Sequence, residues 1–163
     1  MIVEGEALVI AQDNVDTDVL YPGPFVTVLD PKQMAKHLFE GLDPTLRDRV
    51  TDETILVAWD NFGTGSSREN VPAAMRAAGI RCVLAKSLAR IFHRNCINLA
   101  LPAIACPEAV EAVRDGSRIR IDVGAGEVEV DGQRFQARPL PAFMVELIEV
   151  RGLQPWIRGR FAP

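Results

Sequence analysis

Three features of the chain predict an α/β fold, a mixed sheet or barrel-like β layer with helices around it. Three near-continuous apolar runs, "TILVAW" (54–59), "IRCVLAK" (80–86) and "LPAIAC" (101–106), alternate with helical patterns, as strands covered on both faces do. Beyond residue 116, "SRIRIDV", "GEVEVDG" and "QRFQARPL" alternate polar and apolar residues with glycine at the turns, the pattern of antiparallel, half-exposed strands. No repeat and no linker interrupts the 163 residues, so 1–163 is expected to be a single domain.

Taken in order, "GEALVIA" (5–11) reads as the first strand and "QDNVDTD" (12–18) as a loop, because Asn and Asp bond their own backbone in turns. The prolines of "YPGPF" (21–25) lock an extended segment. A helix follows, with Asp30 as N-cap, Pro31 in its first position and Gly41 closing it. Its inner face carries Met34 and Leu38, with His37 at the boundary. Residues 42–53 read as a polar connection, and 71–79 as a helix with Pro72 in its first turn and Gly79 as C-cap. Ser87 is expected to cap the next helix, on which Leu88, Ile91, Phe92 and Cys96 form one stripe. Short helices over 107–116 and 141–152 complete the pattern; residues 153–163 show no period. Trp59, Trp156 and most Met and Phe residues are expected in the core.

The composition narrows the function. The net charge is −4 and Lys and Arg are dispersed, so no basic footprint for nucleic acid exists. No apolar run approaches the roughly 20 residues that span a bilayer, and "MIVEGEALVI" carries acid where a signal peptide needs base. Cys82, Cys96 and Cys106 have neither disulfide nor metal-ligand spacing, and neither histidine stands at ligand spacing from them. They read as buried, reduced thiols of a cytoplasmic protein with no metal site of its own.

"NFGTGSSRENVP" (61–72) is the richest segment for chemistry. It leaves a buried strand and enters a helix, where α/β proteins place ligand groups. Gly63 and Gly65 let the backbone approach a ligand, Ser66 and Ser67 add hydroxyls, and Arg68 adds a fork suited to carboxylate or phosphate. The dinucleotide, Walker A and hydrolase-elbow patterns all fail here. Two readings stand side by side: an anion cradle, and a capping box in which Glu69 satisfies helix N–H groups. In "DNVDTD", Asp16, Thr17 and Asp18 read either as an Asx turn or as groups that orient a partner in a site.

Together, "NVDTD…YPGPF", "NFGTGSSREN" and "AAGIRCVLAKSLARIFHRNCINLALP" resemble, in order and spacing, the small subunits of 3-isopropylmalate dehydratase and the swivel domain of the aconitase superfamily. The resemblance implies a swivelling β/β/α domain. It also implies a hydro-lyase of leucine biosynthesis that isomerises a hydroxy-dicarboxylate through an alkene, active only as a heteromer with a large subunit. That large subunit would carry a [4Fe–4S] cluster whose open iron holds the substrate. By the same resemblance Ser66 matches the catalytic base, and Arg68 the carboxylate clamp. Ser67 would donate to the same anion, and Asp18 matches an active-site aspartate. The sequence departs from the pattern at Thr64, where cysteine is common, and at Asn70, where histidine is common.

In the resembled family the loop after the prolines selects the substrate, here Phe25, Val26, Thr27 and Val28. No Lys or Arg occurs from Gln12 to Pro31, so a third carboxylate would lack a cation there. Val26 and Val28 suit an alkyl group, which places 2-isopropylmalate first, with 2,3-dimethylmalate, citramalate-type acids and homoaconitate as alternatives. A non-catalytic anion-binding assembly module is the rival of another class. Self-association of the isolated chain through its partner-facing surface is a further expectation.

Overall fold

The computed structural model describes residues 1–161; residues 162–163, the end of the aperiodic tail, lie outside the described residues. Seven strands form one sheet in the order β4-β3-β2-β1-β5-β6-β7, curled into a half-barrel with surrounding helices. The strands are β1 (Ile2–Ile10), β2 (Thr54–Ala58), β3 (Cys82–Ala85), β4 (Ala103–Ala105), β5 (Arg118–Asp122), β6 (Glu127–Val130) and β7 (Gln133–Gln136). β1 to β4 are parallel, and β5 to β7 continue antiparallel from the other edge of β1.

The two textures of the sequence follow from what covers each half. Every residue of β2 and β3 is buried, because both faces are packed. Leu56, Ala58, Val83 and Ala85 enter one core, while Ile55, Val57, Cys82 and Leu84 enter the other. A strand covered on both sides needs apolar residues at every position, which erases the two-residue period. In β5, Ile119 and Ile121 point inward while Arg118 and Arg120 stay outside, paired across the strands with Glu6 at 3.2 Å and Glu4 at 3.0 Å.

Among the described residues, eight α-helices fill in around the sheet: α1 (Thr17–Leu20), α2 (Pro31–Lys36), α3 (Thr45–Asp48), α4 (Asn70–Ala78), α5 (Arg90–Asn98), α6 (Pro107–Ala112), α7 (Ala142–Glu149) and α8 (Leu153–Phe161). α2 packs on α4, and Met34, Leu38, Ala74 and Met75 join the first core. Val110, Leu147 and Ile148 from α6 and α7 join the second.

Several expectations are corrected. The Asp30 cap forms, accepting from the Gln33 amide at 3.0 Å, but α2 ends at Lys36, before Gly41. Phe39 takes the left-handed backbone (φ 67°); Gly41 instead lets the chain pass Val19, whose backbone a Cβ would meet at 2.9 Å. The polar connection contains α3, anchored by buried Leu46. Ser87 does not cap α5, whose N-cap is Ala89; its hydroxyl bonds Asp60 at 3.0 Å and accepts from the Asn61 amide at 2.7 Å. Ile91 leaves the stripe and is 49% exposed. The aperiodic tail is helical over α8. Trp59 lies at the surface under the Lys86 ammonium, and Phe143 and Phe161 are exposed beside Trp156. The three cysteines are buried free thiols.

Candidate functional site: two loops at the strand ends

β1 and β2 are adjacent and parallel, so the segments leaving Ile10 and Ala58 emerge at the same edge of the sheet, where open α/β sheets bind ligands. A parallel bridge between Asp16 and Thr64 joins them, with the Thr17 amide donating to the Thr64 carbonyl at 2.8 Å and the Gly63 amide to Val15 at 2.9 Å. The Asx turn is real: the Asp16 carboxylate accepts from the Asp18 amide at 2.7 Å and caps α1. Two glycines make the approach possible. At Gly65 (φ +91°) a Cβ would lie 2.2 Å from the Asp16 carboxylate, and at Gly63 (φ +80°) 2.2 Å from the Phe92 ring.

Ser66, Arg68 and Asp18 meet in this crossing. The Ser66 hydroxyl donates to Asp18 Oδ1 at 3.0 Å, and Arg68 Nε donates to Ser66 Oγ at 3.0 Å. Arg68 Nη2 stands 3.0 Å from the same Asp18 oxygen, and Nη1 donates to the Tyr21 carbonyl at 3.3 Å. Thr17 Oγ1 holds the Ser66 carbonyl at 3.0 Å. Ser66 and Ser67 are exposed and Arg68 half-buried, so the hydroxyls and the outer guanidinium edge face solvent beside a carboxylate that the protein itself supplies. Arg68 in such a triangle can take up a second carboxylate and favours charge on Ser66 Oγ, while an ionised Asp18 opposes that charge.

The capping box does not form: Glu69 is the N-cap of α4 without a side-chain hydrogen bond to it. Gly23, two residues before the loop of Phe25 to Val28, borders the triangle: a Cβ on it would lie 3.7 Å from Arg68 Nη1. Gly23–Phe25 is a turn of 3-10 helix, after which Val26 and Thr27 are exposed and Val28 half-buried. The Phe25 ring stacks on His37 at 3.7 Å. One contributor escaped the sequence reading, and of a second, Asn70, the sequence showed only a departure from the family pattern. Tyr21, the single tyrosine of the chain, spans the site: its carbonyl receives Arg68 and its hydroxyl donates to the Phe25 carbonyl at 3.1 Å. Asn70 donates to the Val26 carbonyl at 3.1 Å. The position of Tyr21 between the acidic cluster and the prolines was the available signal.

No group of three or more His, Cys, Asp or Glu among the described residues stands together as a metal site. The cysteines are poor ligands where they are: burial pushes the Cys82 thiol up to about 12 and raises those of Cys96 and Cys106. Among the described residues no helix is long and apolar enough to cross a membrane.

The curled mixed sheet with this turn at its strand ends defines a subunit of the aconitase type, and residues 45–109 match the family described as the aconitase C-terminal domain. The chain is 44% identical over 159 residues to 3-isopropylmalate dehydratase small subunit 1 of Methanopyrus kandleri, covering 96% of this chain and 93% of that protein. It is 44% identical over 149 residues to the 2,3-dimethylmalate dehydratase small subunit of Eubacterium barkeri, covering 90% and 91%. The crystal structure of 3-isopropylmalate dehydratase from Methanocaldococcus jannaschii superposes with a TM-score of 0.90 at 34% identity, covering 98% of this chain and 95% of that one. The chain belongs to the family of 3-isopropylmalate dehydratase small subunits. Members are hydro-lyase subunits, and a small subunit implies a large-subunit partner.

Proposed function

We propose that the chain, joined to its large subunit in the cytoplasm, dehydrates and rehydrates an alkyl-substituted malate, with 2-isopropylmalate as first substrate. The observation that carries the reading is the triangle of Ser66, Arg68 and Asp18, with its sides of 3.0 Å. It lies beside a loop that has no cation.

Ser66 Oγ is the base. The proton it removes, on a carbon next to a carboxylate, is weakly acidic, so the oxygen must act with alkoxide character. Arg68 Nε, already donating to Oγ at 3.0 Å, favours that charged form, and the serine's own proton passes to Asp18 Oδ1, to which the hydroxyl already donates at 3.0 Å. The substrate carboxylate takes the outer guanidinium edge, displacing Asp18 from Nη2, and Ser67 donates to the same anion. Fixed there, the carbon–hydrogen bond faces Ser66, and the guanidinium steadies the charge that grows as the proton leaves. Ser66 then returns the proton to the carbon that had carried the hydroxyl, while water delivers a hydroxyl to the carbon that had lost the proton, giving the isomeric hydroxy acid. A [4Fe–4S] cluster in the large subunit supplies the Lewis acidity that the departing hydroxyl requires. Val26 and Val28 receive the alkyl group, and the absence of Lys and Arg from Gln12 to Pro31 leaves a third carboxylate uncompensated.

The identity to the 2,3-dimethylmalate dehydratase small subunit of Eubacterium barkeri favours 2,3-dimethylmalate as the second reading. Homoaconitate and a purely structural anion-binding role rank below both. The test is a panel of these acids on the complex rebuilt with its large subunit. Turnover of 2-isopropylmalate that disappears in Ser66→Ala, with substrate binding retained, supports the reading. Normal turnover in Ser66→Ala overturns it.

A further inference from the structure

Asn70 lies outside the triangle, yet it connects the two parts of the site. It opens α4 immediately after the turn that carries Ser66 and Arg68. Its Nδ2 donates across to the Val26 carbonyl at 3.1 Å. That carbonyl sits in the middle of the exposed loop and has no other partner among the described residues. The loop is otherwise held at its start: the Tyr21 hydroxyl takes the Phe25 carbonyl at 3.1 Å, and the Phe25 ring stacks on His37. Beyond Phe25 only local turn bonds remain, from the Val26 amide to Gly23 and from the Val28 amide to Phe25. Among the described residues, Asn70 is therefore the one side chain that hydrogen-bonds the loop beyond Phe25, where otherwise only the packing of Val28 on the first core ties it down.

We infer that Asn70 is a positioning residue for substrate choice, setting the space between the loop and Arg68 and so the size of alkyl group accepted; this rests on the alkylmalate reading above. A single methylene in an apolar pocket changes selectivity by about 10-fold or more, so a small displacement of Val26 is enough to shift it. The role requires the amide N–H and not merely the volume of the side chain. Aspartate has the same shape but no donor, and as an acid in the first turn of α4 it is favourable to the helix. The added charge weakens both dianionic acids alike, so a change in the ratio between them in Asn70→Asp reports the tether rather than the helix start or the charge.

Two measurements test it. On the rebuilt complex, Asn70→Ala and Asn70→Asp are expected to change the ratio of kcat/KM for 2-isopropylmalate to that for 2,3-dimethylmalate by about fivefold or more. A ratio within about twofold of the parent in both variants, even with slower turnover of each acid, overturns the inference. On the subunit alone, hydrogen exchange of the amides at residues 26–29 is expected to rise in both variants while that of β2 stays unchanged. Unchanged exchange at 26–29 also overturns it. A parent complex that turns over neither acid defeats the alkylmalate reading instead, and the exchange experiment still decides the tether.

Discussion

Asp18 and Arg68 form an ion pair at 3.0 Å, and the aspartate oxygen that makes it is the one that accepts the Ser66 hydroxyl. Arg68 thus already holds a carboxylate, with which, on the proposed mechanism, an incoming substrate would compete. Asp18→Asn removes the competing charge and weakens the acceptor that orients Ser66. Steady-state kinetics on the complex are expected to show KM and kcat both lowered, kcat by about 10-fold or more, the value of a charge-assisted hydrogen bond. A raised KM with unchanged kcat would contradict the competition.

Arg68 uses three nitrogens on three partners, Ser66, Asp18 and the Tyr21 carbonyl. Lysine supplies a point charge and cannot span them. Arg68→Lys is expected to lower kcat/KM by about 100-fold, with the urea midpoint of the isolated subunit little changed. Retention of more than half of the activity would show that charge alone suffices.

Gly65 and Gly116 both take positive φ, +91° and +83°, but a Cβ meets the Asp16 carboxylate at 2.2 Å only in the first; at Gly116 nothing lies within 4 Å. Gly116→Ala is expected to cost about 1 kcal/mol of backbone strain. Gly65→Ala adds a collision that pushes Asp16 away from its cap on α1, so chemical denaturation should show a larger loss, about 2–3 kcal/mol, together with loss of turnover. Equal costs would mean that the two loops separate easily.

His93 is half-buried and its Nε2 lies 3.1 Å from the Ala103 carbonyl; burial holds its pKa below the ordinary value. Below about pH 6.5 the unfolded chain takes up a proton there while the folded protein resists it. The unfolded state then binds more protons, so stability falls as the pH drops, and the His93 contribution is complete above that value. Thermal unfolding between pH 7.5 and about 5 should show a falling Tm, with a smaller slope in His93→Gln. Parallel slopes would assign the fall to other groups.

The thiols of Cys82, Cys96 and Cys106 are buried, with raised pKa values. A thiol reagent at neutral pH should label them slowly in the native subunit and all three after denaturation. Fast labelling of one cysteine in the native state would place it in a region that opens.

The strands and the turn were legible in the sequence because their signals are local. β2 and β3 announce themselves by unbroken apolar runs, and Gly63, Gly65, Ser66 and Arg68 lie within six residues of one another. What stayed hidden depends on partners far along the chain. Nothing near Asn70 indicates that its amide reaches Val26, 44 residues away. Ser87 has the chemistry of a helix cap, but Asp60 and the Asn61 amide take its hydroxyl. Gly41 looks like a helix stop, yet its small size answers to Val19. The α8 helix has no fully buried residue; Leu153 and Trp156 pack partly on the second core, and Phe143 and Arg160 stack on Trp156.

The bridge between Asp16 and Thr64 also bears on how the two subunits come together. With both loops fastened within one chain, Ser66, Arg68 and Asp18 stand together before any partner arrives, and docking need not be coupled to folding. Association should therefore proceed at the rate of rigid bodies, with a heat-capacity change set by the contact area alone. A dicarboxylate should also perturb the amide signals of Ser66 and Arg68 in the solitary subunit, as a weak ligand of half a site.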